Sequence, residues 1–381
     1  MLYANNNRLV KYITSHVGCL IFGMKRRFDE NEKTMFKLLL AITLIMIILT
    51  YAISFWIFII YLLSGYYLGR TMNKYNQYIC ELTKVDNTID IIGYDNNDTT
   101  TIITGWSGLR NYMEDEYVIC MKNNIYGVFD GHGGSKVSNY IKRNFVKTYE
   151  NMFHELIINH DLNNIDSLTQ KALENTIIKL DTEVFDECIV GGAVGTVIKL
   201  NSDKIYCANI GDSGAFVKTA EGKIQELSRP HALGNYREYN RYIDCIEPLN
   251  IKFNSVIRTY TGLMPARSIG DHIYKQNDIG ITEQPETKII NITKNSWKYF
   301  VIASDGIMDS FTNDELTEYI DEIVKIKLTD KTKDIKDIFG DSITRLYNRT
   351  IKQPSFIDKI TNKYYGDNCT LVVVFNKQLF Q

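Results

Sequence analysis

The sequence predicts an α+β fold preceded by one transmembrane helix. Two observations carry that prediction. Residues 38–69 form a long apolar stretch without a single charge, and beyond about residue 100 short runs rich in Val, Ile, Tyr and Phe are interrupted by pairs of helical patterns. Strands in series with helices inserted in pairs point to sheets packed together, with helices on their outer faces.

Composition bounds the reading. The 381 residues carry 43 Lys+Arg against 45 Asp+Glu, a formal charge of −2, and 45% are hydrophobic. This length allows one large domain or two ordinary ones. Balanced charge lacks the basic footprint of a nucleic-acid-binding protein, so no nucleic-acid partner is expected. Few prolines and many aromatics argue against bulk disorder. The cysteines at 19, 80, 120, 188, 207, 245 and 369 form no C-x-x-C pair. They read as thiols in a reducing compartment rather than as disulfides or a zinc site.

Residues 1–37 form a basic segment whose first 28 positions contain no acid. In residues 38–69 the central LLLAITLIMIILTYAISFWIFIIYLL is apolar on every side of a helix. A soluble amphipathic helix keeps one polar face, whereas roughly 20 apolar residues cross a bilayer once. The stretch is too long for a signal-peptide core, so it is expected to remain as an anchor. Residues 70–99 are polar, run into YDNNDTTT, and read as a linker. Residues 100–381 form the remaining domain.

Strands are expected at 117–121, 125–129, 194–200, 204–209, 299–304 and 371–375. Val137, Ile141 and Phe145 predict one helix face from near Ser135, and Leu173, Ile177, Leu180 and Val184 predict a second from near Ser167. Another pair covers roughly 313–328 and 333–351. A broad loop near 230–260 would suit the docking of proteins.

The chemical signal lies at strand ends. IYGVF runs into Asp130-Gly131-His132-Gly133-Gly134, and YFVIAS into Asp305-Gly306-Ile307-Met308-Asp309. YCAN precedes Ile210-Gly211-Asp212-Ser213, and Gly366-Asp367-Asn368 precedes TLVVVF. Each buried run thus delivers a carboxylate beside a glycine. One such pair is an ordinary turn, but several converging carboxylates would repel one another unless a multivalent cation lay between them. Oxygen donors without a Cys/His cluster favour Mg²⁺ or Mn²⁺ over zinc.

From about residue 100 onward the chain resembles the type 2C metal-dependent protein serine/threonine phosphatases. Six segments carry the resemblance in the family's order. They are Gly108-Leu109-Arg110-Asn111-Tyr112-Met113-Glu114-Asp115, Val128-Phe129-Asp130-Gly131-His132-Gly133-Gly134, Asn209-Ile210-Gly211-Asp212-Ser213, Ala266-Arg267-Ser268-Ile269-Gly270-Asp271, Ala303-Ser304-Asp305-Gly306-Ile307-Met308-Asp309 and Gly366-Asp367-Asn368-Cys369-Thr370.

The resemblance implies two packed antiparallel β-sheets flanked by helices, an α/β/β/α sandwich with a dinuclear Mg²⁺ or Mn²⁺ centre at one end. It implies that Asp130 bridges both metals, that Gly131 offers its carbonyl, that Asp305 and Asp367 complete the ligands, and that Glu114 binds through water. Asp212 and Asp309 match carboxylates for a weaker third metal, although Asp309 could equally cap the helix starting near Asn313. Arg110 is implied to hold the phosphate, and His132 to protonate the departing alkoxide of a phosphoserine or phosphothreonine attacked by a metal-activated water. Asp115 and Asp271 are read as turn or supporting residues.

The chain departs from the family pattern in several places. Gly192-Ala193-Val194-Gly195 stands for the usual Gly-Ser/Thr-Thr-Ala, Gly214 for an Arg, Pro230-His231-Ala232-Leu233 for Asp-His-Lys-Pro, and Ala266 for a Ser. Glu238 and Arg241 keep the expected later spacing.

The leading expectation is a membrane-anchored protein phosphatase with phosphoprotein substrates. A binding module that keeps the fold without turnover, and a hydrolase of small phosphoesters, are the alternatives. The seven basic residues before the apolar stretch place the catalytic domain across the membrane. Unpaired cysteines and phosphoprotein substrates favour the cytosolic side, which is the expectation adopted. The sequon Asn97-Asp98-Thr99 in the linker would report the opposite topology if glycosylated.

Overall fold

The computed structural model describes residues 35, 37–46 and 64, and residues 89–380 except 109, 111, 160–163, 247–257, 260, 278–279, 353–355, 359–362 and 366, with backbone alone between 351 and 366. The chain divides into two units, Met1–Leu82 and Thr83–Gln381. In the first, residues 37–46 are helical and exposed. The rest of the expected transmembrane helix (residues 47–69, Ser64 apart) and the linker up to residue 88 lie outside the described residues. Among the described residues no helix is long and apolar enough to cross a membrane.

In the second unit, β1 (Asp90–Asp95) and β2 (Thr99–Trp106) lead to β3 (Glu116–Cys120) and β4 (Ile125–His132). Helices α1 (Lys136–Asn159) and α2 (Ile165–Asp186) precede β5 (Gly192–Leu200), β6 (Lys204–Ile210), β7 (Gly214–Thr219) and β8 (Ile224–Glu226). Then come α3 (Tyr236–Ile246), β9 (Ile269–Gly270), α4 (His272–Asn277), β10 (Glu286–Asn291) and β11 (Trp297–Ala303). The chain continues through α5 (Asp305–Met308), α6 (Asn313–Thr329), α7 (Ile335–Lys352), the small hairpin β12 (Phe356–Asp358) and β13 (Lys363–Tyr365), and β14 (Cys369–Asn376).

Two antiparallel sheets result, ordered β1-β2-β14-β11-β7-β8 and β10-β6-β5-β4-β3, with β9 paired to β5. Alternation along the strands explains the layering. In β11 and β14, Phe300, Ile302, Val372 and Val374 meet Val128, Ile198 and Cys207 of the other sheet. Their neighbours Tyr299, Val301, Leu371 and Phe375 face Ile320, Ile323 and Phe339 of α6 and α7. Phe129, Val197 and Tyr206 face Ile141, Phe145, Ile177 and Leu180 of α1 and α2. Strands buried on both faces read as continuous apolar runs, which is why these were visible in the sequence. Each large side chain buried in this way contributes about 1.5–3 kcal/mol.

The expected linker does not extend to residue 99. Asp90–Asp95 pairs in register with the Thr100–Gly105 stretch of β2, closing the sheet edge. Its Asp, Gly and Tyr content resembles a loop, but Ile91 packs towards the helices and Ile92 towards the opposite sheet. Asn96 closes the β1–β2 turn, its side-chain oxygen accepting from the Asp98 and Thr99 amides at 2.9 and 2.7 Å. The sequon therefore sits in a tight turn, with the Thr99 hydroxyl buried against Tyr126. The described residues between 230 and 281 add a satellite, in which Leu233, Tyr242, Ile246, Leu263 and Ile281 form their own small apolar cluster around α3.

Candidate active site

Strand pairing gathers the carboxylates. Ala303 of β11 pairs with Leu371 of β14, so Asp305 and Asp367 emerge side by side at one end of the first sheet. Asp130 lies two residues before the end of β4 in the second sheet, opposite Val194 of β5. Asp212 occupies the crossing from β6 to β7, where the chain changes sheets. The two sheets therefore deliver acids to a common end.

Gly131 lets the next segment approach. A Cβ there would lie 2.6 Å from the Glu114 carbonyl and 2.8 Å from Ser138 Oγ. The Glu114 segment is fixed from all sides. Its amide donates to Asn368 Oδ1 at 2.8 Å, its carbonyl accepts from Ser138 Oγ at 2.5 Å, and its carboxylate accepts from the Gly134 amide at 2.6 Å and from Arg110 at 3.0 Å. Arg110 spans Glu114 and Asp367, donating to the latter at 2.6 Å. Part of its donor fork therefore orders two acids, and the rest remains for an oxyanion.

The electrostatics show how crowded this end is. Burial pushes Asp130 well above the usual carboxylate range, reinforced by the charges of Asp115, Asp305, Asp367 and Asp212. Burial and the Asp212, Asp367 and Asp309 charges do the same to Asp305. Asp115 is pushed up to about 7 by burial and Asp367, and Asp212 to about 6 by burial and Asp309. Both oxygens of Asp115 and Oδ1 of Asp305 are buried without a hydrogen-bond partner. Such groups are costly unless a cation compensates them. An all-oxygen set with orphaned carboxylate atoms fits Mg²⁺ or Mn²⁺. Among the described residues, no three His, Cys, Asp or Glu side chains are already closed around one point at ligand spacing.

His132 ends β4, its Nε2 2.6 Å from Asp271 Oδ2. Asp271 is buried and takes a left-handed backbone, φ 56°, directly after Gly270 at φ 81°. Its amide donates to the Gly191 carbonyl at 2.9 Å. Burial opposes a charged imidazole, yet the Asp271 carboxylate, helped by Asp212 and Glu114, holds His132 above its usual range. The turn is fixed in its turn by Asp181, buried in α2, which accepts from the Gly270 amide and from Lys275 Nζ, each at 2.7 Å. Asp181 was not among the expected residues, because a single Asp in a helical pattern reads as part of a solvated face. Asp309 does not cap α6, since Thr312 and Glu315 form that capping box. It ends α5, its amide donating to the Asp305 carbonyl at 2.7 Å.

Against this geometry the relatives can be placed. The sequence model of the family described as Protein phosphatase 2C matches residues 108–338. The chain belongs to the protein phosphatase 2C family. Protein phosphatase 1L of Bos taurus is 29% identical over 225 residues, covering 56% of this chain and 61% of the relative. The chain thus spans less than two thirds of that relative's length. A phosphatase from a pathogenic strain of Toxoplasma gondii shares the fold with a TM-score of 0.56 at 17% identity, covering 75% of this chain and 95% of that one. A C. elegans sex determining protein also shares it, with a TM-score of 0.56, 21% identity and coverage of 77% and 67%.

At several of the places where this protein phosphatase 2C chain departs from its family pattern, packing accounts for the change. Gly192 is kept, and a Cβ there would strike both Asp271 Oδ2 and His132 Nε2. Gly195 gives way to the ring of Phe129, and Val194 lies against Gly211. At Gly214 the space a side chain would need is filled by Met308. His231 keeps a structural task, since its amide donates to the Gly211 carbonyl at 2.8 Å and its Nδ1 accepts from the Gly211 amide at 3.1 Å. It thereby braces the Asp212 turn. Glu238 accepts from Arg241 at 3.0 Å and also pairs with Arg267, tying the satellite to the Ala266-Arg267 segment.

Proposed function

We propose that this chain is a membrane-anchored, Mg²⁺/Mn²⁺-dependent protein serine/threonine phosphatase. The observation that carries the reading is the convergence of buried, mutually repelling carboxylates from both sheets beside Arg110 and the His132–Asp271 pair. Asp130, the Gly131 carbonyl, Asp305 and Asp367 would hold two metals, with Glu114 acting through water and Asp212 and Asp309 serving a weaker third. When bound, the metals supply Lewis acidity that makes water a nucleophile at neutral pH.

The chain's own groups do the rest. Arg110 draws the phosphate oxygens towards its guanidinium while Glu114 and Asp367 fix its orientation. With Nε2 of His132 committed to Asp271, Nδ1 is the atom that gives a proton to the departing seryl or threonyl oxygen. The raised pKa keeps that proton available near neutral pH. No cysteine is needed: burial raises Cys207 and Cys369, which makes them poor nucleophiles.

The inert binding-module reading loses support from the packing explanations above, because every departure leaves the acids, Arg110 and His132 in place. Anchoring rests on the uncharged 38–69 stretch, with the catalytic unit on the cytosolic side. The test is hydrolysis of a phosphothreonine peptide by the purified full chain. Activity should vanish in EDTA and return with Mn²⁺, and full activity that persists in EDTA would defeat the metal-dependent mechanism. Resistance of the chain to alkaline extraction from membranes checks the anchor.

A further inference from the structure

An apolar cavity of about 470 Å³ opens beside His132. It is lined by His132 and Asp271 together with Phe185 and Val190, which flank the end of α2, and Ile273 and Tyr274 of α4. These four apolar side chains are 52%, 64%, 65% and 40% exposed, although comparable side chains elsewhere in the unit are mostly buried. No Lys, Arg or Glu is among its described lining residues, and the Asp271 carboxylate is already committed to His132. Phe185 stands edge-on to His272, the ring centroids 5.0 Å apart, so part of the rim is held in place.

We propose that this cavity is a substrate subsite that receives an apolar side chain flanking the phosphoserine or phosphothreonine of a protein substrate. The assignment rests on the phosphatase reading above and names a substrate class for it. Continuity with the reaction centre carries it: His132, the proton donor of the proposed reaction, also lines the cavity. A side chain one or two positions along an extended peptide is displaced by only about 3.4–7 Å, within reach of a cavity that shares that histidine. The lining is mostly apolar and its one carboxylate, Asp271, is paired with His132, so it favours Leu, Ile, Met or Phe over Asp, Lys or Ser. Small phosphoesters have nothing to place there.

The test uses the full chain with Mn²⁺ and a set of phosphothreonine peptides in which each flanking position is in turn Leu or Ser. p-Nitrophenyl phosphate, which has no flanking residues, reports separately on the reaction centre in every variant. At one or two positions Leu should raise kcat/KM about tenfold over Ser. Ile273→Ser and, independently, Val190→Asp should bring that ratio close to one. Both positions lie at the surface, so either variant can be read if the other fails to fold. Equal rates for Leu and Ser peptides in the wild type, or a preference that survives both variants, overturns the assignment while leaving the phosphatase reading intact. A wild-type chain inert towards every ester overturns both. A wild-type dimer that becomes monomeric in Val190→Asp gives the cavity to a second copy and overturns the substrate role.

Discussion

At His132 the deciding partner, Asp271, lies 139 positions later in the chain. Because that carboxylate outweighs burial and holds the imidazole above its usual 6.5, the protonated ring persists to higher pH. The alkaline limb of kcat should therefore lie above pH 6.5 and move down in Asp271→Asn. The same variant should lose about 10²–10⁴ in kcat on a phosphoserine peptide, and far less on an aryl phosphate, whose leaving group needs no proton. An equal loss on both esters would remove His132 as proton donor. Asp181 acts one step further out, through the Gly270 amide. Asp181→Asn should cost about tenfold to a hundredfold with the same bias towards the peptide. Lys275 and the Ser268 carbonyl share that network, so a Lys275→Met variant provides an independent check.

Among the elements, β5 and α6 show how local sequence serves the site. Gly192 on β5 leaves room for the His132–Asp271 contact, so Gly192→Ala should separate the pair and reproduce the ester bias of Asp271→Asn. Helix α6 starts at a Thr312/Glu315 capping box that Arg349 of α7 completes by pairing with Glu315. Thr312→Ala should cost about 1 kcal/mol, read from denaturant unfolding. Glu315 is held down at about 2 by Arg349 and Thr312. A lowered acid stabilises the fold above its unfolded value and loses that contribution as pH falls. Wild type should thus lose stability relative to Glu315→Gln between pH 4.5 and about 2.

These elements also show what the sequence could and could not reveal. Strands such as β4, β11 and β14 were readable because burial on both faces makes them continuously apolar, and their terminal Asp-Gly pairs marked the site. Strand β2 escaped notice because it opens on Thr99, Thr100 and Thr101, polar residues that are buried all the same. Strand β1 escaped because an edge strand with one exposed face tolerates Asp, Gly and Tyr. Asp271 stood in a recognisable segment, but its task depends on a partner the sequence does not place nearby. Asp181 left no local signal at all.

Across the whole molecule, the stability of the second unit is tied to the charge gathered at one end of its sheets. Acids whose folded pKa is raised, such as Asp115 at about 7 and Asp212 at about 6, stabilise the fold while protonated and lose that contribution as pH rises. In EDTA the melting temperature should fall as pH rises from about 4 to 7, between the ordinary and the raised values of these acids. Saturating Mn²⁺ should raise it by about 5 °C at pH 8 and flatten the slope. A slope unchanged by metal would mean that the carboxylates are not its ligands. Since Thr83–Gln381 is a compact unit by itself, removing residues 1–82 should release a chain that stays in solution and keeps its turnover. Loss of membrane association in that truncation, read by flotation, assigns the anchor to residues 38–69.

In the proposed mechanism the gathered carboxylates hold the catalytic metals. This is tested most directly by comparing the wild type with Asp305→Asn in the same preparation, measuring Mn²⁺ binding by calorimetry and phosphothreonine-peptide hydrolysis in parallel. The substitution should weaken Mn²⁺ binding and lower kcat by at least about 10³ while the fold is retained. An Asp305→Asn chain that binds Mn²⁺ and turns over like the wild type, or a folded, Mn²⁺-loaded wild type that is inert, would contradict that mechanism.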